Sequence, residues 1–229
     1  SSGLYLKISK ITNTTLPKVK KGILRRKDMF KMFSAVFAAA LFVSSAFAQG
    51  QVVYNNIPDP LPFNYFSLGY QATQTAEFGD YVLLGGTDRR AGSATIAMSA
   101  WALHSTYPTM SAAGFNHPIT LNIYDVDNSG AVPALGSKIG SVTQSFLIPW
   151  RPEADSTCLG RTSWRASNGF CYIGYAFTIK FDLRSLALTL PDEVIVGVAY
   201  NTQTWGYDPI GVPGPYNSLN FGLATLPAT

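Results

Sequence analysis

The stretch His117–Val126, HPITLNIYDV, decides the fold class. Ile119, Leu121 and Ile123 alternate with Thr120, Asn122 and Tyr124. That is the period-2 pattern of a strand with one apolar and one polar face. The same reading extends in both directions. In AFTIKFDL, Phe177, Ile179, Phe181 and Leu183 point one way and Thr178, Lys180 and Asp182 the other. TIAMSAW sets Ile96, Met98 and Ala100 opposite Thr95, Ser99 and Trp101. EVIVGVAY is apolar on both faces from Val194 to Tyr200, which predicts a central strand, and DYVLLGG, SVTQSFLI and NSLNFGL predict further ones. Gly, Pro and Asn breaks separate them, and no long stretch has a 3.6-residue period. Seven or more one-sided strands in a single sheet would leave an apolar face in water. Two sheets must therefore face each other, so the prediction is all-β: a two-sheet β-sandwich of jelly-roll or immunoglobulin-like kind.

The strand runs directly into Asp125-Val126-Asp127-Asn128-Ser129-Gly130, DVDNSG, which begins like a calcium loop. Such a loop needs oxygens at positions 1, 3 and 5 and a bidentate acid at position 12. Asp125, Asp127 and Ser129 hold the first three, and Gly130 stands where a glycine belongs. Position 12 is Gly136, which has no side chain. Asn128-Ser129-Gly130 is turn material. The stretch reads as a strand-to-strand loop, with a new strand beginning near Lys138. Calcium survives only as a site completed by backbone carbonyls or a distant acid, and no other cofactor is expected.

The 229 residues carry a formal net charge of +4, and that charge misleads about partners. Nine of the 17 Lys and Arg lie before position 49 with one acid, Asp28, so residues 1–48 carry +8. The remainder has 8 basic and 12 acidic residues and carries −4, which argues against nucleic acid as a partner. The basic run Lys18–Lys31, the apolar MFSAVFAAALFVSS and the small residues Ala46 and Ala48 form the three-part pattern of a secretory signal peptide. Residues 1–48 are read as a leader with its helical signal core at 29–48, cut after Ala48; the start is placed at Met29 or Met32, with residues 1–28 read either as upstream reading frame or as a long n-region. Residues 49–229 are read as one sandwich domain. Left uncut, residues 32–48 would be at the lower length limit for spanning a bilayer, the one route by which a membrane enters. The expected location is secreted, extracellular or cell-surface, with the periplasm as the other compartment. An oxidising compartment makes Cys158 and Cys171, the two cysteines of the chain, a disulfide. Closing a loop of about 15 residues is worth roughly 3 kcal/mol in the chain-entropy model.

Residues able to carry catalysis are sparse. After the leader there are three Glu: Glu77, Glu153 and Glu193. A glycosidase needs two carboxylates facing each other across a cleft. EFGD, with Glu77 and Asp80, reads instead as turn chemistry at a strand entry. His104 and His117 are two His without a metal-site motif, and no G-x-S-x-G is present. The candidate ligand-binding residues are aromatic: Trp150 after Pro149, Trp164 between the cysteines, and Trp205, Tyr207 and Tyr216 in a Gly/Pro-rich loop. Such rings can present flat faces to sugars or pin loops to the sandwich edge. Arg151, beside Trp150, is a further hydrogen-bonding candidate.

An ordered series of blocks carries a family resemblance. It runs from VVYNNIPDPLPFNYFSLGYQ through HPITLNIYDV, TQSFLIPWRPEAD, GYAFTIKFDL and LPDEVIVGVAYNT to PYNSLNFGL. Together the blocks resemble an uncharacterised β-sandwich module of secreted bacterial proteins. That module is found after signal peptides and sometimes before C-terminal surface-sorting segments. The resemblance covers most of residues 52–223 and implies export and a sandwich, and it brings no catalytic residue with it. The family pattern continues past the SLN strand, so an edge strand is expected to lie beyond residue 229.

The function expected is a non-catalytic secreted or cell-surface module for adhesion, surface display or carbohydrate contact, with a glycan or cell-surface component as partner. The alternatives are a secreted polysaccharide-active hydrolase using Glu77 or Asp80, and a structural matrix or coat subunit. For the DVDNSG loop the expected outcome is plain. Millimolar calcium leaves the melting temperature of the protein unchanged, and a rise that vanishes in an Asp125→Ala/Asp127→Ala variant would contradict the loop reading.

Overall fold

The computed structural model describes residues 3–4, 6–10, 51–206 and 214–224. All of these but Gln51 belong to one compact unit. The signal core, the cut after Ala48 and Tyr207 lie outside the described residues.

The unit is built of antiparallel strands, as the period-2 patterns require. In chain order they are β1 (Gly3–Leu4), β2 (Leu6–Lys10), β3 (Val52–Asn55), β4 (Ser67–Leu68), β5 (Phe78–Leu83), β6 (Ala91–Ala100), β7 (Phe115–Asp127), β8 (Ala134–Ile148), β9 (Trp164–Arg165), β10 (Cys171–Tyr172), β11 (Tyr175–Asp182), β12 (Glu193–Ala199) and β13 (Leu219–Ala224). One short helix, α1 (Tyr70–Thr73), precedes β5. One sheet has four strands in the order β5-β12-β7-β8. The other has seven strands and is centred on β6. Along one edge β6 pairs with β11 over its length. Along the other it pairs with β2 at Ala91–Ile96 and with β13 at Met98–Ala100. β9 and β10 make a two-stranded ribbon beside the disulfide.

The alternation seen in the sequence becomes the inward and outward faces of these sheets. Leu121 and Ile123 of β7 sit beside Val198 and Val196 of β12, and Val194 of β12 beside Val82 of β5, all buried as is Ile119. Ile96 and Ala94 of β6 sit beside Ile179 and Phe181 of β11 and Leu6 and Ile8 of β2, also buried. These residues from both sheets form one apolar cluster. The all-β class therefore stands, and the arrangement is compatible with a two-sheet sandwich. β12 lies between β5 and β7, the central position its two-sided apolar pattern predicts.

The edges of the two sheets are tied together by a side chain. The Gln144 amide of β8 donates from Nε2 to the Asp182 carbonyl at 2.9 Å and accepts from the Asp182 amide at 3.2 Å. It thereby completes the backbone pairing at the end of edge strand β11. At the other end of β11 the amide of Ala176 donates to the Phe63 carbonyl.

The DVDNSG region differs in detail from its sequence reading. β7 and β8 form a hairpin whose pairing runs through two register shifts to Val126–Leu135 and Asp127–Ala134. The second strand therefore begins at Ala134, four residues before Lys138. A bulge lets pairing continue where the strict alternation of the sequence has already broken. Gly136 is required there, because a β-carbon would lie 2.7 Å from the Asp125 carbonyl oxygen.

Candidate functional site

The outward face of the four-stranded sheet holds a set of interlocked polar side chains at its centre. Strand register places Gly79 of β5, Gly197 of β12, Asn122 of β7 and Ser141 of β8 in one row across the sheet. The next row is Tyr81, Ile195, Tyr124 and Lys138. Glycines in the interior of a strand weaken it and often mark a close approach. Here the approaching group is Glu77, whose carboxylate lies over Gly197. A β-carbon on Gly197 would overlap Oε1 of Glu77.

Glu77 is held from beneath. Its Oε1 accepts from Nδ2 of Asn122 at 3.0 Å, and its Oε2 accepts from the Tyr124 hydroxyl at 2.9 Å. Asn122 is fully buried, and its Oδ1 accepts from the Ser141 hydroxyl at 2.7 Å. In the adjoining row Thr120 and Thr143 share a hydroxyl hydrogen bond of 2.7 Å. Lys138 places its ammonium 5.4 Å from the centre of the Tyr124 ring. Buried polar groups need such partners to offset lost hydration, and charge-assisted bonds to a carboxylate are among the stronger ones.

A second carboxylate on the same face is held by the same residue types. Glu193 of β12 accepts from the Tyr81 hydroxyl through Oε2 and from Nδ2 of Asn128 through Oε1. The hydrogen bond to Glu193 raises the Tyr81 pKa and keeps that hydroxyl protonated as a donor. Tyr81 remains 41% exposed, so its ring is open to solvent beside this polar floor. Asp80 lies on the other face of β5, since its register partner Val196 points into the core. Glu77 and Asp80 therefore do not face one another across a cleft.

The aromatic candidates are spread over several places. Trp164 is 5% exposed, packs edge-on against Phe63 and Tyr175, and donates Nε1 to the Gly174 carbonyl. Trp150 donates Nε1 to the Ser111 carbonyl and lies against Tyr107 and Phe115. Tyr216 stacks on His117 with ring centres 4.3 Å apart and meets Phe115 edge-on. Trp205, 39% exposed, sits in the turn after β12, where Thr202 bonds its backbone. That turn is tied to α1 by Gln71, whose Oε1 accepts from both Thr202 and Thr204. Three residues separate α1 from Glu77.

The other named residues have local roles. Arg151 is buried and donates to the Ile173 and Thr162 carbonyls, which ties the disulfide-bearing segment to the body. Cys158 and Cys171 are bonded, with their α-carbons 5.9 Å apart. Asp127 accepts from the Ser129 amide at 2.9 Å, and its bonds to Ser129 hold the carboxyl below the usual range. Asp125 accepts from the Val126 amide. Asp125, Asp127 and Ser129 thus brace their own turn. Among the described residues no three His, Cys, Asp or Glu converge as a metal site. No described helix is long and apolar enough to cross a membrane. No family model, no curated protein and no solved structure matches the chain.

His117 is a buried titrating group on the inner face of β7. It is 2% exposed, its Nε2 donates to the Asn201 carbonyl at 3.0 Å, and Tyr216 and Tyr200 enclose the ring. Burial lowers its pKa to about 4. The unfolded chain takes up a proton near pH 6.5 while the native state does not until about 4, so stability falls as pH drops through that window. The loss is about 3 kcal/mol. Denaturant melts between pH 7.5 and 4 should show it, and in His117→Gln that slope should flatten. An unchanged slope would contradict the assignment. Asp182, held near 2 by its bonds to Arg184, contributes only below this window.

Proposed function

We propose that the chain is a non-catalytic, secreted or cell-surface β-sandwich module, of jelly-roll or immunoglobulin-like kind, that contacts carbohydrate through the outward face of its four-stranded sheet. The observation that carries this reading is the pair of carboxylates, each held by one Tyr and one Asn, on a sheet face that also presents the exposed ring of Tyr81. A sugar offers the complement: hydroxyls for carboxylate and hydroxyl oxygens, and an apolar ring face for the aromatic. The oxygens are fixed by the sheet beforehand, so little ordering is needed on binding. Export follows from the leader pattern, and the disulfide and the bacterial module it resembles fit an extracellular place.

The hydrolase reading keeps Glu77 as its acid. It separates cleanly from the binding reading, because it requires turnover. The test is a glycan array probed with the native protein, Tyr81→Ala, Glu77→Gln and Trp205→Ala. A lost ring contact of about 0.5–1.5 kcal/mol weakens binding roughly two- to tenfold, so Tyr81→Ala should lower affinity by that factor and Glu77→Gln by more. Binding that survives both substitutions, or no binding to any glycan, would contradict the proposal. Polysaccharide cleavage abolished by Glu77→Gln would establish the hydrolase instead.

A further inference from the structure

The seven-stranded sheet contains two strands from the leader, the two-residue β1 paired with β13 and the longer β2. β2 lies between β3 and β6 and is antiparallel to both. Its side chains complete the core: Leu6 is fully buried beside Ile96, and Ile8 is 3% exposed beside Ala94. Its backbone is clasped from the β3 side. The Leu6 amide donates to Oδ1 of Asn56 at 2.6 Å, and the Asn56 amide donates to the Leu6 carbonyl at 3.1 Å. Lys10 is 8% exposed and ends the strand 3.7 Å from the Asp88 carboxylate. β3 has its own anchor on its far side, where the Gly85 amide donates to the Val53 carbonyl.

Between β2 and β3 the sequence carries the basic run, the apolar stretch and the cut after Ala48. Removal of the leader takes β2 with it. Ala91–Ile96 of β6 and the facing edge of β3 then lose their shared backbone partner, and a slot shaped for two apolar side chains opens onto the core. Unpaired edges over an apolar slot are the setting in which a sheet accepts a strand from elsewhere.

We propose that the gap between β3 and β6 is a strand-acceptor groove. In the processed module it takes, from another polypeptide, an extended segment with the pattern apolar–x–apolar–x–cation, antiparallel to both flanking strands. β2 defines that chemistry. Leu6 and Ile8 fill the slot, Lys7 and Ser9 point away from it, and Lys10 meets Asp88. The inference rests on the export reading only for the removal of the leader. It is independent of carbohydrate binding.

The test starts from the full chain with a specific protease site inserted between Ala48 and Gln49. After cutting, a fluorescent peptide of residues 3–12, GLYLKISKIT, is added in excess and its anisotropy followed. The expected result is saturable binding as the cut leader is displaced. A peptide carrying Leu6→Asp and Ile8→Asp should bind at least 100-fold more weakly, and one carrying Lys10→Glu several-fold more weakly. Self-association of the cut protein that the peptide reverses would also support the groove and would identify a second copy as a strand donor. The proposal is overturned if the leader leaves and the peptide does not bind, or if the doubly substituted peptide binds as well as the native one. N-terminal sequencing of protein exported from cells reads the Ala48 cut separately, so failure of the export reading is distinguishable from failure of the groove.

Discussion

The structure depends on the pairing of β6. Its inward residues Ala94, Ile96 and Met98 are buried, and both of its edges are used. β11 occupies one, and β2 and β13 divide the other. A strand buried on its inner face and paired on both edges has no backbone amide to leave in an apolar environment unsatisfied. β12 has the corresponding place in the four-stranded sheet, between β5 and β7. The two strands bring Ile96 and Val196 into one apolar cluster. Around that cluster a chain of aromatic contacts runs from Trp150 through Phe115, Tyr216, His117 and Tyr200 to Tyr70. The hydroxyls of Tyr70 and Tyr200 donate to the Val198 and Leu219 carbonyls, one in each sheet. Two rings at the centre of the unit therefore also carry hydrogen bonds to both sheets.

The inner faces are mostly committed to the core, and the interlocked carboxylates of the four-stranded sheet lie on its outer face. On the four-stranded sheet that chemistry is concentrated where Gly197, beside Gly79 in the same row, leaves room for Glu77. The carboxylate cannot move far, since Asn122 and Tyr124 hold it and Ser141 holds Asn122. This polar cluster is fixed in place by the sheet beneath it. It differs from the tryptophans Trp164 and Trp150, which spend their indole N–H groups on backbone carbonyls.

How much of this was legible in the sequence follows from the range of each contact. Faces were legible wherever side chains alternate along one strand, as in Ile119–Leu121–Ile123 and Phe177–Ile179–Phe181. The disulfide followed from an even cysteine count and the leader. The hairpin at DVDNSG was legible because a turn is local. Contacts between distant segments were not. Glu77 meets Asn122 across 45 residues, through a register that nothing in either segment specifies. Two signals were nonetheless present: polar Asn122 on the outer face of β7, and Gly197 interrupting an otherwise apolar strand. Leu6–Lys10 carries little strand signal, because its alternation spans only five residues and stands ahead of a signal-like segment. Its partner β6 lies more than 80 residues away.

Amide hydrogen exchange of the full chain tests the account most directly, because protection reports which strands are paired on both edges and buried. The account predicts the slowest exchange in residues 93–98 of β6 and 194–198 of β12, with Leu6 and Ile8 protected to a comparable degree. Rapid exchange across residues 93–98 would contradict it, since β6 could not then be the doubly paired strand on which the seven-stranded sheet is built.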